Sequence, residues 1–321
     1  MVKPSEWLRK QLEKLKMYTD ELCKASNVHY EVHAWTPLKL ITLMYWVDIY
    51  TRIISKQKKY AENYWYLDLL AGSGTNFIKE VNTVVIGSPF IAILLAQKPF
   101  TRYVFIELDH EKAKALRKRV EFLKKRGLIH DKVLVYEDDC NNIIQELPIE
   151  KASHFLAFID CEGLDVNWNT YERLLEKRGD LIIVFQTQSL NRTLGRAKHH
   201  LGDERKMTMF MGDESWREAC NAEELLNIFM NKLREYRSYV DCVRIRGRYR
   251  YDIILACKQG PYTSAWEYLK ERYLSLTDKD AKLALRILRG ELKALDEFFE
   301  TKRPKQITLN EFFFTLTKTI S

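Results

Sequence analysis

The order of apolar and polar positions predicts strands that alternate with helices along most of the chain. Short apolar runs of strand length are separated by segments in which apolar residues recur at helical spacing. The predicted strands are 64–68, 101–108, 133–136, 155–159 and 181–185, and the helices between them are 89–97, 110–126, one ending at Leu147, and 168–178. This alternation favours a doubly wound, mostly parallel, Rossmann-like α/β sheet.

The flanking segments predict helices before the sheet and a closing hairpin after it. Residues 5–25 have the pattern of one amphipathic helix, and 37–56 that of a largely buried helix. Between the sheet and the hairpin, 189–221 is polar and irregular and 222–235 is helical; strands 238–246 and 249–257 then form an antiparallel hairpin. The predicted divisions are an N-terminal helical region (1–60), the α/β domain (61–260), a helical extension (261–300) with helices over 263–275 and 278–299, and a flexible tail (301–321).

Composition indicates a globular protein without a membrane span. Of the 321 residues, 46% are hydrophobic, but no apolar run reaches the ~18 residues that a span requires, and the first residues do not resemble a signal peptide. A soluble, cytoplasmic protein is expected. The six cysteines form no C-x-x-C pair, which argues against a zinc site or a disulfide framework. The net charge of +8 is compatible with nucleic-acid contact and also with a solvated basic surface.

A small-residue loop follows the first predicted strand and is the clearest candidate for a ligand site. The strand ends at Asp68, and Ala71-Gly72-Ser73-Gly74 comes directly after it. Glycines allow a tight turn and a close approach of a ligand to the backbone. A dinucleotide fingerprint is excluded because Phe77 stands at the third glycine position, and the chain has no G-x-x-x-x-G-K-[ST] phosphate loop.

Acidic residues follow the predicted strands at four points: Asp68, Glu107, Asp139 and Asp160. In a parallel sheet these ends share one edge, where ligands bind. A carboxylate at the end of the second strand can accept both hydroxyls of a ribose, and Asp139 can accept a hydrogen bond from an adenine amino group. The interval between Gly74 and Glu107 exceeds the usual ~20 residues, but an insertion over 76–86 accounts for most of the excess. Each acid taken singly is equally well explained as a solvated or helix-capping carboxylate.

The pattern acid-x-x-small-Gly-x-Gly resembles the first motif of class I S-adenosylmethionine-dependent methyltransferases. In a wider comparison of motifs the chain resembles the TcmP (three-Cys-motif partner protein) family over about residues 33–260. The motifs that carry this resemblance are Trp35-Thr36-x-x-Lys39, Tyr66 to Gly74, Gly87-Ser88-Pro89, Phe105-Ile106-Glu107, Phe158-Ile159-Asp160, Phe210-Met211-Gly212 with Trp216, and Arg250 to Leu255. The fourth strand ends Asp160-Cys161-Glu162-Gly163, where the family usually has Asp-Pro-Phe-Gly.

The resemblance implies a class I methyltransferase type of fold with S-adenosylmethionine as cofactor. The implied cofactor-binding residues are Asp68, Ala71, Gly72, Ser73, Gly74, Glu107, Asp139 and Cys140. The resemblance also implies that Asp160 faces the substrate, and Cys161 and Lys39 are further catalytic candidates. Cys161 can be a nucleophile of the cytosine-C5 type, although a small buried cysteine is the favoured interpretation. The basic segment 191–200 can contact phosphate or be a solvated loop.

The last residues contain a separate motif. Gln306, Leu309, Phe312 and Phe313 follow the spacing Q-x-x-aliphatic-x-x-aromatic-aromatic, which resembles the motif that docks replication and repair proteins on the sliding clamp PCNA. One helical turn places the three apolar side chains on one side, while Gln306 reaches a polar pocket. The alternative is that these residues cover the protein's own core.

Together these features predict a methyltransferase-like protein that is recruited by PCNA and is linked to DNA replication or repair. One alternative is a non-catalytic regulator that binds PCNA and keeps the fold as a scaffold. Another is a nuclease in which Asp139, Asp160 and Glu162 hold Mg²⁺.

Overall fold

The computed structural model describes residues 3–34, 36–129, 132–245, 250–276 and 286–289. Within them, most of the strands form one central sheet, and three short strands form a second one. The strands are β1 (Tyr30–Val32), β2 (Tyr64–Asp68), β3 (Thr75–Ile78), β4 (Thr83–Ile86), β5 (Arg102–Ile106), β6 (Val133–Tyr136), β7 (His154–Ile159), β8 (Gly179–Phe185), β9 (Tyr239–Ile245) and β10 (Tyr251–Cys257).

The central sheet has the strand order β6-β5-β2-β7-β8-β10-β9. The first five strands are parallel, and β10 is antiparallel to both of its neighbours. The doubly wound fold and the closing hairpin are thereby confirmed, although residues 246–249, which connect the two strands of the hairpin, lie outside the described residues. The direction of winding changes between β2 and β7, and in such sheets the ligand crevice lies outside the carboxyl ends of the strands at this point.

Both faces of the sheet are buried, which explains the apolar runs in the sequence. Tyr64 and Tyr66 of β2 pack into one cluster, and Trp65 and Leu67 pack into the other. This alternation follows from the two-residue period of a strand. A strand covered on both faces has no need for polar residues on either side.

Helices supply the two covering layers. They are α1 (Pro4–Lys16), α2 (Thr19–Ala25), α3 (Thr36–Ile54), α4 (Ser88–Leu94), α5 (His110–Lys125), α6 (Cys140–Glu146), α7 (Trp168–Leu175), α8 (Thr187–Lys198), α9 (Glu204–Met211), α10 (Ala222–Arg234) and α11 (Ser264–Leu274). Apolar residues of α1, α3, α4, α5 and α11 cover one face, and those of α6 to α10 cover the other. None of the helices in the described ranges is both long enough and apolar enough to cross a membrane.

Three local predictions are wrong. The single helix predicted over 5–25 is two helices, because Tyr18 has a left-handed backbone (φ +63°) that a continuous helix cannot contain. Much of the segment predicted as irregular is helical, since α8 and α9 each bury an apolar face, including Leu194 and Met207. The helix predicted over 89–97 begins one residue earlier, at Ser88, with Gly87 as its N-cap, and it ends earlier, at Leu94.

The second sheet was not predicted. The insertion over 76–86 forms the hairpin β3–β4. The strand β1, from the segment between the helices predicted over 5–25 and 37–56, pairs in parallel with β3 through Tyr30↔Asn76 and Glu31↔Phe77. This small sheet brings the segment before α3 next to the glycine loop, because β3 begins directly after Gly74. The predicted divisions of the chain stay predictions. Trp35, most of the helix predicted over 278–299 and the tail over 301–321 lie outside the described residues.

Candidate functional site

A cavity of about 170 Å³ lies at the carboxyl ends of β2, β5 and β7. Five residues that the sequence nominated for cofactor or substrate line it: Lys39, Ala71, Gly72, Glu107 and Asp160. Glu162, nominated only as a metal ligand of the nuclease alternative, also lines it. Residues that the sequence did not nominate complete its wall, among them Tyr30, Asn76, Ser88, Lys112 and Asp165. The cavity therefore occupies the switch point at which an open α/β sheet binds ligands.

The glycine loop has a backbone that other residues adopt only with strain. Gly72 and Gly74 have φ values of +62° and +84°. A Cβ on Gly74 would lie 2.3 Å from Cε2 of Phe90, and one on Gly87 would lie 2.9 Å from the backbone of Gly74. The N–H of Gly87 also donates to the carbonyl of Gly74 at 2.8 Å. The start of α4 is thus packed directly on the loop, and this packing requires glycine at both positions.

Glu107 joins the end of β5 to the glycine loop. Its Oε2 accepts the N–H of Gly72 at 2.7 Å, and its Oε1 accepts the N–H of Asp109 at 2.8 Å. The N–H of Ala71 donates to the carbonyl of Ile106 at 2.8 Å. An acid and a loop that are far apart in sequence therefore meet on one wall of the cavity.

Asp68 lies behind the cavity wall and is completely buried. Its Oδ2 accepts a hydrogen bond from the hydroxyl of Tyr66 at 3.2 Å, while Oδ1 has no partner among the described residues. Burial raises the pKa of Asp68 to about 7; the hydroxyls of Ser88 and Tyr66 act in the opposite direction, and the nearby charges of Asp160 and Glu107 raise it further. The carboxyl group is therefore poised to change charge near neutral pH.

An ion pair joins two predicted substrate-side residues. Nζ of Lys39, on α3, lies 2.6 Å from Oδ2 of Asp160, which directly follows β7. Both side chains are mostly buried, with exposed fractions of 13% and 16%. Oδ1 of Asp160 is buried and has no partner among the described residues, so it retains an acceptor position for another donor.

Tyr30 was missed by the sequence analysis, and Glu162 was nominated there only as a metal ligand. The Tyr30 hydroxyl donates to Oε1 of Glu162, and the Lys112 ammonium lies 4.6 Å from the centre of the Tyr30 ring. Burial, together with the hydrogen bond to Glu162, raises the pKa of the Tyr30 hydroxyl. These contacts depend on the pairing of β1 with β3, and no local pattern in the sequence announces that pairing.

Several predicted residues lie outside the cavity wall. Ser73 and Gly74 belong to the loop but are not among the residues that line the cavity. Asp139 caps α6, accepting the N–H of Asn141 at 2.8 Å and its side-chain amide at 2.9 Å, which matches the alternative of a helix-capping acid. Cys140 is buried, and burial raises the pKa of its thiol.

The burial of Cys161 favours the interpretation of a small buried cysteine over that of a catalytic nucleophile. Its thiol is buried in the core on the far face of the sheet and donates to the carbonyl of Val184 at 3.8 Å. Burial raises its pKa to about 12, and the charges of Asp165 and Asp160 add to the shift. A thiol that stays protonated and cannot reach the cavity is a poor nucleophile.

The basic segment after β8 is the helix α8 and a turn, and it does not line the cavity. Two of its charges have partners: Arg196 is 2.7 Å from Asp203, and His200 is 3.0 Å from Glu204. Across the described residues, His, Cys, Asp and Glu side chains nowhere form a group of three or more that could hold a metal ion.

Neither a protein-family model nor a curated protein sequence matches the chain. Among solved structures, protein LPL1258 from Legionella pneumophila is similar, with 14% identity, a TM-score of 0.45, and coverage of 71% of this chain and 89% of that one. The cofactor-bound Rv0187 from MTB has 15% identity, a TM-score of 0.39 and coverage of 68% and 81%. A human methyltransferase 10 domain containing protein has 12% identity, a TM-score of 0.38 and coverage of 70% and 83%.

These similarities are confined to the fold, and the assignment of the fold rests on the strand order and register of the sheet. Because no family model matches, membership of the TcmP family stays a prediction. The protein has a doubly wound, mostly parallel, Rossmann-like α/β fold with its candidate site at the switch point of the sheet.

Proposed function

We propose that the cavity binds S-adenosylmethionine and that the protein transfers its methyl group to an acceptor. The observation that carries this proposal is the 2.7 Å contact between the Glu107 carboxylate and the N–H of Gly72. It places an acid suited to ribose hydroxyls and a glycine backbone open to close approach on the same wall.

The residues present fit such a ligand. The Glu107 carboxylate offers two oxygens to a diol, and the backbone of Ala71 and Gly72 borders the same space. Leu40 and Leu70 supply apolar wall, which suits the face of a base. The cavity carries four acids, Glu107, Asp160, Glu162 and Asp165, against two lysines, Lys39 and Lys112. An excess of negative charge favours a ligand that bears a positively charged sulfonium.

When bound, the cofactor supplies a methyl group on an electrophilic sulfonium, so the protein has mainly to position the acceptor and exclude water. Asp160 is the residue best placed to hold an acceptor, because it lines the cavity and its Oδ1 is unpartnered among the described residues. Lys39 orients this carboxylate through the 2.6 Å ion pair.

Calorimetric titration with S-adenosylmethionine and with S-adenosylhomocysteine tests the proposal directly. We expect both to bind, and we expect Glu107→Gln to weaken both by about tenfold or more, since a charged acceptor is lost. Glu121→Gln, an exposed residue on α5, is the matched control and should bind as the wild type does. If neither ligand binds the wild-type protein, the proposal fails.

We also propose that Gln306, Leu309, Phe312 and Phe313 bind the sliding clamp PCNA and link the protein to DNA replication or repair. Support comes from the spacing of these residues and from the basic segment Lys302-Arg303-Pro304-Lys305 before them. A peptide of 302–321 should bind PCNA in a titration. The double substitution Phe312→Ala, Phe313→Ala should abolish binding, because the aromatic pair supplies most of the buried area. Equal binding by that variant would remove the hypothesis.

The non-catalytic regulator remains the second candidate. It is favoured by Asp160-Cys161-Glu162-Gly163, which departs from the family's usual turn, and by the ion pair that already occupies one oxygen of Asp160. Clamp binding without any binding of S-adenosylmethionine or S-adenosylhomocysteine would favour this candidate. The Mg²⁺ nuclease loses its support, because the described residues contain no group of three metal ligands.

A further inference from the structure

Arg119, on α5, is a completely buried cation that binds backbone carbonyls. Its Nε donates to the carbonyl of Leu22 at 3.1 Å, Nη1 donates to Ser73 at 2.7 Å, and Nη2 donates to Ser26 at 2.8 Å. None of these acceptors is a carboxylate, and within the described part of the chain Arg119 forms no ion pair within 4.0 Å. Burying a charge is costly unless its hydrogen bonds are satisfied, so these carbonyls are what keep the guanidinium in place.

Two of the acceptors belong to the end of α2. The carbonyls of the last helical turn have no partner within the helix, and they carry a partial negative charge that attracts cations. Leu22 and Ser26 lie at this end, and Ser26 is the residue that follows α2. Arg119 therefore attaches the N-terminal helical region to α5.

The third acceptor, the carbonyl of Ser73, lies at the centre of the glycine loop. Ser73 stands between Gly72 and Gly74, whose left-handed backbones leave the loop without regular secondary structure to hold it. The Ser73 hydroxyl donates to the carbonyl of Thr75 at 3.0 Å, and its own carbonyl is the one that Arg119 binds. The orientation of the peptide between Ser73 and Gly74 is thereby fixed from behind the cavity wall.

The same guanidinium touches the segment that carries Tyr30. Nη2 lies 3.5 Å from Nδ1 of His29, and this nitrogen lies 2.8 Å from the Thr75 hydroxyl. Tyr30 follows His29 directly and lines the cavity. One side chain thus contacts the glycine loop and the segment that leads to Tyr30, another residue of the cavity wall.

We propose that Arg119 is a positioning residue, which fixes the glycine loop and the His29–Tyr30 segment relative to each other and so sets the affinity of the cavity for its nucleoside ligand. The part that concerns affinity rests on the proposed function. The part that concerns the loop does not.

Arg237 offers a matched control. It also donates to carbonyls, those of Gly179 at 2.9 Å, Leu175 at 2.7 Å and Lys177 at 2.7 Å. These acceptors lie between the end of α7 and the start of β8, at the edge of the sheet opposite the cavity. Replacing either arginine by lysine exchanges a guanidinium that donates to three carbonyls for a single ammonium group. Only Arg119→Lys removes a donor to the glycine loop.

The experiment compares Arg119→Lys and Arg237→Lys in the full chain. Amide hydrogen exchange is measured by mass spectrometry over 69–76 and 22–32, and the affinity for S-adenosylhomocysteine is measured by calorimetry. We expect Arg119→Lys to speed exchange in both segments and to weaken binding, each by about tenfold. We expect Arg237→Lys to lower the melting temperature but to leave both quantities within about twofold of wild type.

Each outcome decides the proposal. Equal effects of the two variants, or unchanged exchange over 69–76 in Arg119→Lys, would overturn it. If Arg119→Lys does not fold, Arg119→Gln is measured in the same way. Failure of both to fold, with Arg237→Lys folded, would make Arg119 a general structural residue and would also overturn it. If the wild type binds no S-adenosylhomocysteine, the proposed function fails, while the exchange data still decide whether Arg119 positions the loop.

Discussion

Lys39 and Asp160 form an ion pair of 2.6 Å in the wall of the cavity, and the second oxygen of Asp160 has no partner among the described residues. The pair joins the start of α3 to the end of β7, so it links the N-terminal helices to the sheet. Both side chains are mostly shielded from water. Removing one partner leaves a charge with little solvation, which is more costly than removing both.

This asymmetry gives a prediction for stability. Lys39→Met should lower the free energy of unfolding by about 1–3 kcal/mol, because Asp160 loses its counter-ion. Adding Asp160→Asn to that variant should recover part of the loss, because the remaining group is neutral. Urea unfolding of the wild type, the two single variants and the double variant completes the cycle. Additive single effects would show that the pair contributes no coupling.

Tyr30 should control access to the cavity. Its hydroxyl bonds to Glu162 and so joins β1 to the turn after β7 across the site. Tyr30→Phe should speed the association of S-adenosylhomocysteine by about threefold while changing stability by only about 1 kcal/mol, since one hydrogen bond is lost. Stopped-flow binding measures the rate. Tyr236→Phe is the control, because the Tyr236 hydroxyl donates to Glu172 at 2.9 Å and neither residue lines the cavity. An equal effect of both substitutions would contradict the prediction.

Cys161 should prove structural. Cys161→Ala removes a buried sulfur and should destabilise the protein by about 1–2 kcal/mol through the small cavity it leaves. Binding of S-adenosylhomocysteine, and any methyl transfer found, should stay within about twofold of wild type, since the thiol lies in the core on the far face of the sheet. A loss of activity with unchanged binding and stability would restore the nucleophile hypothesis.

The parts of the fold and of the site that depend on local sequence patterns could be predicted. The buried strands, the loop of small residues after β2 and the position of Glu107 after β5 all follow from patterns within a few residues. The small sheet could not be predicted, because β1 and β3 are short and their pairing joins segments far apart in the chain. The role of Arg119 could not be predicted either, because a cation on a charged amphipathic helix is expected to be exposed. Only the structure shows that Arg119 is buried and that it donates to the glycine loop.

Two buried acids should make stability depend on pH. The pKa values of Asp68 and Asp180 are raised from 3.8 to about 7, in both cases mainly by burial; Arg237 and Trp46 act against the shift at Asp180. Between 3.8 and about 7 the folded state holds protons that the unfolded state has released. These two groups therefore favour folding at low pH, and their contribution falls as pH rises through this window.

Asparagine substitutions at Asp68 and Asp180 test whether these acids make stability fall as the pH rises. Asp68→Asn and Asp180→Asn should each flatten the fall in stability across the window, and each should be more stable than wild type at about pH 8 by on the order of 1–3 kcal/mol. Urea unfolding from about pH 5 to pH 8 supplies the comparison. Variants that lose stability equally at every pH would show that the carboxylates are ionised throughout and act through their hydrogen bonds.

The pKa values of Asp68 and Asp180 should respond differently when a ligand binds in the cavity. Glu107 and Asp160, which line the cavity, already raise the pKa of Asp68, so a cation bound in the cavity should lower it and release a proton near neutral pH. Asp180 should not respond, because it lies at the opposite edge of the sheet, at the start of β8. Calorimetric titrations with S-adenosylmethionine in buffers of different ionisation enthalpy measure the protons released at about pH 7. Release should disappear in Asp68→Asn and persist in Asp180→Asn, and it should be smaller with the uncharged thioether of S-adenosylhomocysteine. Equal proton release in both variants would mean that Asp68 does not sense the charge of the ligand.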